Sequence, residues 1–185
     1  MNYAPLALAA LLAACSASPA RYTVPEVEVA GPRVPSIYGT VALREVALPA
    51  YAASEEIHFR GPDGALASAP DVLWADDPTR AITGDLARAL GRITGATVAA
   101  EPWPFFDRPA ATVEIRVSDM LAEADGRFRL TGQYFVAPET GRRTRSGSFA
   151  LEAPIAAPGG PAPIAAARGQ AVRDLATLIA RDGLR

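Results

Sequence analysis

Between residues 38 and 185 the apolar positions change period several times, and each period predicts an element. Val41 and Leu43 alternate along one strand, and Val46 and Leu48 continue it in the opposite phase, which places a bulge near Arg44-Glu45. Ile57 and Phe59 make a second short strand with His58 and Arg60 on its other face, and Gly61-Pro62-Asp63-Gly64 is a turn. Further on, Val113, Ile115 and Val117 alternate with Thr112, Glu114, Arg116 and Ser118. Asp125-Gly126 is a hairpin turn, after which Phe128, Leu130, Tyr134 and Val136 oppose Arg127, Arg129, Thr131 and Gln133. Pro138-Glu139-Thr140-Gly141 turns the chain again, and Phe149 and Leu151 continue a last strand. Strands of this one-sided kind predict an antiparallel sheet with one face covered and one in water.

Two stretches carry the helical period instead. Ile82, Leu86, Leu90 and Ile93 follow Asp76-Asp77-Pro78-Thr79, where Asp77 caps the free amides and Pro78 suits the first helical position; Gly95 ends the helix. Capping accounts for Asp76 and Asp77, so they are not read as a catalytic pair. A Pro/Gly-rich loop from Pro154 to Pro163 leads to a second helix, striped by Ile164, Ala167, Ala171, Leu175 and Leu178 and widened by Val172 and Ile179. The fold class is therefore α+β: a two-layer domain, mainly antiparallel sheet, with two amphipathic helices packed on one face.

The N-terminal end reads differently. Ala4 to Ala14 is apolar with Pro5 inside it, too short for a membrane span of about 20 residues but right for the core of a signal peptide. The chain's sole cysteine, Cys15, closes this run and has no partner for a disulfide. Residues 16 to 37 carry Ser and Pro and read as a semi-extended tether of at most roughly 70 Å, with Val27 and Val29 suited to docking as an edge strand. Three regions are expected: a signal peptide over 1–14, Cys15 with its tether over 15–37, and a domain over 38–185 that folds alone.

Leu12-Ala13-Ala14-Cys15 resembles the lipobox of bacterial lipoproteins. That resemblance implies cleavage between Ala14 and Cys15, a diacylglycerol on the sulfur, and palmitate-type acylation. Ser16 after the cysteine implies the outer membrane, with the domain facing the periplasm. One acyl chain holds marginally, whereas several hold essentially irreversibly.

Composition narrows the chemistry. The formal net charge is −2, which gives no electrostatic case for nucleic acid. All 18 basic residues are Arg, so a phosphate-loop Lys, a Schiff-base Lys and a Ser-Lys dyad are excluded. His58 is the single histidine, on a short strand without a serine elbow, and no metal-ligand spacing occurs. The expectation is a protein that is not an enzyme and that uses no cofactor or metal.

Two surface features stand out. Trp103, Phe105 and Phe106 lie in a Pro-broken aromatic loop, Glu101 to Asp107. They are candidates for contact with a lipid or a protein partner; the simpler expectation is that Trp103 and Phe106 fold back to close the core. Arg142, Arg143 and Arg145 are candidates for anionic headgroups or an acidic partner, and equally for a solvated strand start that discourages edge pairing.

With those elements placed, the chain resembles the PqiC-like family of ABC-type transport auxiliary lipoproteins. The residues that carry the resemblance are Tyr22-Thr23-Val24, Leu73-Trp74-Ala75-Asp76-Asp77-Pro78 leading into Asp85 to Leu90, then Ile115, Val117 and Asp119, and Gly132 with Tyr134. The resemblance implies a non-catalytic role in moving lipids across the envelope. Its implied partners are the membrane, an MCE-domain protein and a separate ABC permease and ATPase; self-association into a homo-oligomer is also left open. An envelope lipoprotein that binds cell-wall machinery is the alternative.

Overall fold

A computed structural model describes residues 18–26, 28, 31–141 and 143–185. Ala14, Cys15, Val27, Val29 and Arg142 lie outside the described residues. Eight strands and two helices are seen among those described: β1 (Ala20–Tyr22), β2 (Thr40–Leu43), β3 (Glu56–Arg60), β4 (Leu66–Trp74), α1 (Pro78–Thr94), β5 (Thr97–Ala100), β6 (Ala111–Ala122), β7 (Arg127–Pro138), β8 (Arg145–Pro154) and α2 (Pro161–Asp182).

β6 organises the sheet. One edge pairs antiparallel with β7 from Ala111↔Pro138 to Ala122↔Phe128, and β7 in turn pairs with β8. The other edge is shared. Its first half takes β2 in parallel (Val41↔Ala111 to Leu43↔Val113), and its last residue takes β3 (Phe59↔Ala122). β5 extends the sheet beyond β2, while β4 and then β1 extend it beyond β3. The longest ladders are antiparallel, as the one-sided strands predict, and short parallel pairings make the whole sheet mixed.

The bulge predicted at Arg44-Glu45 is present in the form of a break. β2 stops at Leu43, Arg44 and Glu45 turn to solvent, and Val46 returns to the core with no exposed surface. Ala47 then rejoins β6, donating its N–H to Ile115 O at 3.0 Å and accepting from Val117 N at 2.8 Å.

Both helices cover the same core. Ile82, Leu86, Leu90 and Ile93 of α1 meet Ala171, Leu175 and Ile179 of α2 over Leu43, Val113, Ile115, Leu130 and Val136. The start of α1 is built as expected: Asp77 accepts from Arg80 N at 2.7 Å, Pro78 opens the helix, and Gly95 closes it at φ 73°. A second, smaller cluster joins Ile57, Trp74 and Ala165 at the first turns of α2.

Gly132 and Tyr134 acquire a steric reason. A Cβ on Gly132 would stand 2.2 Å from the Arg116 carbonyl oxygen and 2.8 Å from the Phe149 ring, so β6 and β7 approach there only over a glycine. Two residues on, the Tyr134 ring lies over Gly147, its register partner on β8.

The described residues before Tyr38 carry little regular structure, yet they are attached to the domain. β1 pairs in parallel with β4, Arg92 of α1 binds Glu26, Val34 N donates to Ile93 O at 2.9 Å, and Ile37 N donates to Leu184 O at 2.9 Å. Among the described residues of this segment the strand is Ala20–Tyr22; the valine pair lies outside them. Among the described residues, no helix is long and apolar enough to cross a membrane.

Candidate functional site

Trp74 ends β4 and is almost fully buried, one residue before the turn that starts α1. The Arg168 side chain reaches it from α2, with its guanidinium carbon 4.5 Å from the Trp74 ring centroid. Arg168 is 1 % exposed and is one of very few buried polar side chains among the described residues. Its Nη2 donates to the Pro78 carbonyl at 3.0 Å, while its Nε finds no acceptor. Burial pushes the Arg168 guanidinium down to about 10, and the carboxylates of Asp85, Asp76 and Asp77 oppose that shift. Asp85 is itself held above its ordinary range by burial, against the pull of Arg88 and Arg168.

These groups floor a cleft of roughly 440 Å3 that opens between the residues after β1, the start of α1 and the end of β5. Its walls carry charges of both signs that are already paired, Arg80 with Asp76 and Arg88 with Asp85. Glu45 and Glu101 add two further carboxylates to the lining, so the cleft carries no excess of positive charge that would draw an anion. Its clearest role is to clamp α2 onto the start of α1, and that is what the Leu73-to-Pro78 stretch encodes.

Arg168 was not singled out by its neighbours in sequence, though a signal exists. It falls on the 164–168–172–175 repeat of α2, where every other position is apolar. An arginine on an apolar stripe implies a partner across the core, here an aromatic ring.

The aromatic loop differs from the simpler expectation. Phe106 is fully exposed and Phe105 is 52 % exposed, so neither closes the core. Trp103 is half-buried, but within its own loop: its Nε1 donates to Asp107 O at 2.7 Å and its ring meets Phe105 edge-on at 5.0 Å. A side chain spent on bracing its own loop leaves the two phenylalanines presented to solvent. The loop closes against the turn between β7 and β8, through Arg108 to Glu139 at 2.8 Å and Glu139 N to Ala110 O at 3.0 Å. That turn carries Arg143 and leads into Arg145 at the start of β8, an edge strand; both are exposed, and Arg145 Nη1 donates to Asp182 O at 3.3 Å. The fold therefore sets the stretch that follows the aromatic loop against the turn that carries Arg143.

His58 sits beside Ser54 and Glu56, a trio that invites comparison with a hydrolytic triad. Its Nδ1 is 3.1 Å from the Glu56 carbonyl oxygen, which only accepts, so the ring proton belongs on Nδ1. A protonated Nδ1 takes no proton from Ser54, whose hydroxyl donates instead to the Tyr51 carbonyl at 2.9 Å. The ring packs edge-on against Tyr51, with centroids 5.8 Å apart. Among the described residues, no cluster of His, Cys, Asp and Glu is arranged to hold a metal.

Residues 22–180 match the family model described as the ABC-type transport auxiliary lipoprotein component, and the chain belongs to that family. Two solved structures share its fold. Protein XCC0632 from Xanthomonas campestris, of the DUF330 family, superposes with a TM-score of 0.71 at 19 % identity, covering 89 % of this chain and 94 % of that one. An uncharacterised protein superposes with the same TM-score at 17 % identity, covering 89 % and 98 %. No curated protein matches the chain in sequence.

Proposed function

We propose that the protein is a non-catalytic, lipid-anchored component of an envelope lipid transport system, tethered to the outer membrane through Cys15 with its domain in the periplasm. The observation that carries this reading is the family match over residues 22–180 in a chain whose Leu12-Ala13-Ala14-Cys15 has the lipobox pattern. Family membership supports association with an ABC-type transporter and with the cell envelope. The MCE-domain partner, the outer membrane as the place of anchoring and the acylation of Cys15 go beyond what the family match supports.

The loop of Phe105 and Phe106, next to the turn carrying Arg143, is the surface offered to the protein partner. Exposed aromatic side chains beside arginine are the residue types that dominate binding energy at interfaces. Anchoring to a membrane raises the local concentration of a weak binder near membrane-bound partners, so a modest interface is enough. Transport energy comes from other chains.

The test is crosslinking in cells followed by purification. An MCE-domain protein should be recovered with the wild type, and recovery should fall when Cys15→Ser removes the anchor. Metabolic labelling with a palmitate analogue should mark the wild type and not Cys15→Ser. Recovery of cell-wall machinery in place of transporter chains would support the alternative reading.

A further inference from the structure

We propose that an apolar groove at the Ala122 end of β6 takes an acyl chain of a bilayer phospholipid, and that β1 holds this groove against the membrane. The inference rests on the Cys15 anchor proposed above. The groove has a volume of roughly 500 Å3, within the range of pockets that hold small ligands. Ile57 and Phe59 of β3, Ala69 and Val72 of β4, Ile155 after β8 and Ile164 of α2 line it. Phe59 is 41 % exposed there, an unusual position for a large apolar side chain on a paired strand. The charged groups at the groove are Arg60 and Glu123, and they bind each other at 3.1 Å. With that pair satisfied, the walls offer an incoming ligand apolar contact and little else. A hydrocarbon chain fits this chemistry; a sugar, nucleotide or peptide backbone would leave its polar groups unpaired.

The N-terminal segment supplies the source of that chain. β1 pairs Ala20 with Val72, a wall residue, and the parallel register directs the chain before Ala20 toward the Ala69 end of β4. Five residue steps separate Cys15 from Ala20 and span at most roughly 17 Å. A tether running free to residue 37 would allow about four times that distance. An anchored Cys15 thus keeps the groove within one lipid length of the headgroups, where an acyl chain can pass between bilayer and protein with little exposure to water. Ala111, at the other end of β6, is about 36 Å from Ala122 at the usual rise per residue. The aromatic loop closes at that far end, so lipid and protein partner approach from different sides.

The experiment uses full-length acylated protein in vesicles of phosphatidylethanolamine and phosphatidylglycerol that contain a phosphatidylethanolamine with a diazirine in its acyl chain. After irradiation, labelled peptides should cover residues 57–72 and 155–164. Ala69→Trp, which fills the groove, should cut that labelling about fivefold with melting unchanged, and Ile164→Trp should do the same from the helix side at some cost in melting temperature, because Ile164 also packs against the core. A flexible insert of roughly 20 residues after Ser16 should also cut it, because the effective concentration falls. Equal labelling in wild type and both filled variants, or labelling confined to Phe105 and Phe106, would overturn the proposal. Palmitate labelling of Cys15 separates the two readings: an acylated Cys15 with an unlabelled groove sinks the groove alone, and an unacylated Cys15 sinks both.

Discussion

The guanidinium carbon of Arg168 lies 4.5 Å from the centroid of the Trp74 ring, joining the first half of α2 to the last residue of β4. The contact decides how the two helices sit, because the same arginine donates to the Pro78 carbonyl in the first turn of α1. It is also a buried charge with an unpartnered Nε, which limits what its charge contributes to stability.

Packing rather than charge is therefore expected to dominate at this position. Arg168→Ala should lose about 3 kcal/mol, through the void beneath Trp74 and the Pro78 carbonyl left without its donor. Arg168→Met, which keeps the volume, should stay within about 1 kcal/mol of wild type. Urea denaturation of the variants checks this. A Met variant as unstable as the Ala one would give the charge the larger share.

Gly132→Ala should destabilise by about 3 kcal/mol, since the new methyl meets the β6 backbone, which has nowhere to move. Gly39→Ala serves as the control: nothing lies within 4 Å of its would-be Cβ, and the cost should be under about 0.5 kcal/mol. Thermal melting of the two variants side by side gives the comparison.

Glu114 predicts a specific acid sensitivity. Hydrogen bonds and charge from Arg116, then from Arg44, hold its carboxyl below the ordinary value of 4.5. In the window below 4.5 the unfolded chain binds the proton and the folded chain does not, so stability rises with pH there. On acidification the contribution is present above the ordinary value and is lost as the pH falls through the folded one. Melting temperature against pH should be flatter below this point in Glu114→Gln than in wild type, with little difference near neutrality. Because the pair is on the surface, salt should weaken the effect.

Phe105→Ser combined with Phe106→Ser should leave the melting temperature unchanged within about 2 °C, because neither ring packs in the core. Recovery of the transporter partner after crosslinking should drop. Trp103→Ser is the contrasting variant: it removes the Nε1 bond to Asp107 and the ring under Phe105, so it should loosen the loop itself. Protease cleavage within residues 101–108 should then increase.

Strongly periodic segments were readable from sequence, and residues that owe their place to distant partners were not. β6, β7 and β8 follow from alternation plus two glycine turns, and α1 follows from its cap and its repeat. β4 hides because Pro70 and Ser68 break its pattern; it forms because the register shift between Glu56 and His58 leaves the proline in an irregular stretch that needs no ladder hydrogen bond. β5 is four residues with two alanines, too short to carry a period. Parallel pairing joins segments remote in sequence, and no local pattern encodes it. The aromatic loop and the arginine turn were legible as residues, whereas the contact of the stretch after the loop with that turn came from the Ala111↔Pro138 register. The groove draws its walls from β3, β4, α2 and the residues around them, so no single stretch announces it.

β1 is only three residues long, yet its direction has a mechanical consequence. If Cys15 is anchored as proposed, a pull on the chain enters β1 at Ala20, and the component along the strand loads its bonds to β4 in shear, so that they share it. Arg21 adds two crossties, to Glu55 at 3.0 Å and to the Trp74 carbonyl at 3.1 Å, and Ala75 N adds another to Tyr22 O at 2.9 Å. Under the proposed anchor, this three-residue seam and its crossties would carry the load between membrane and domain.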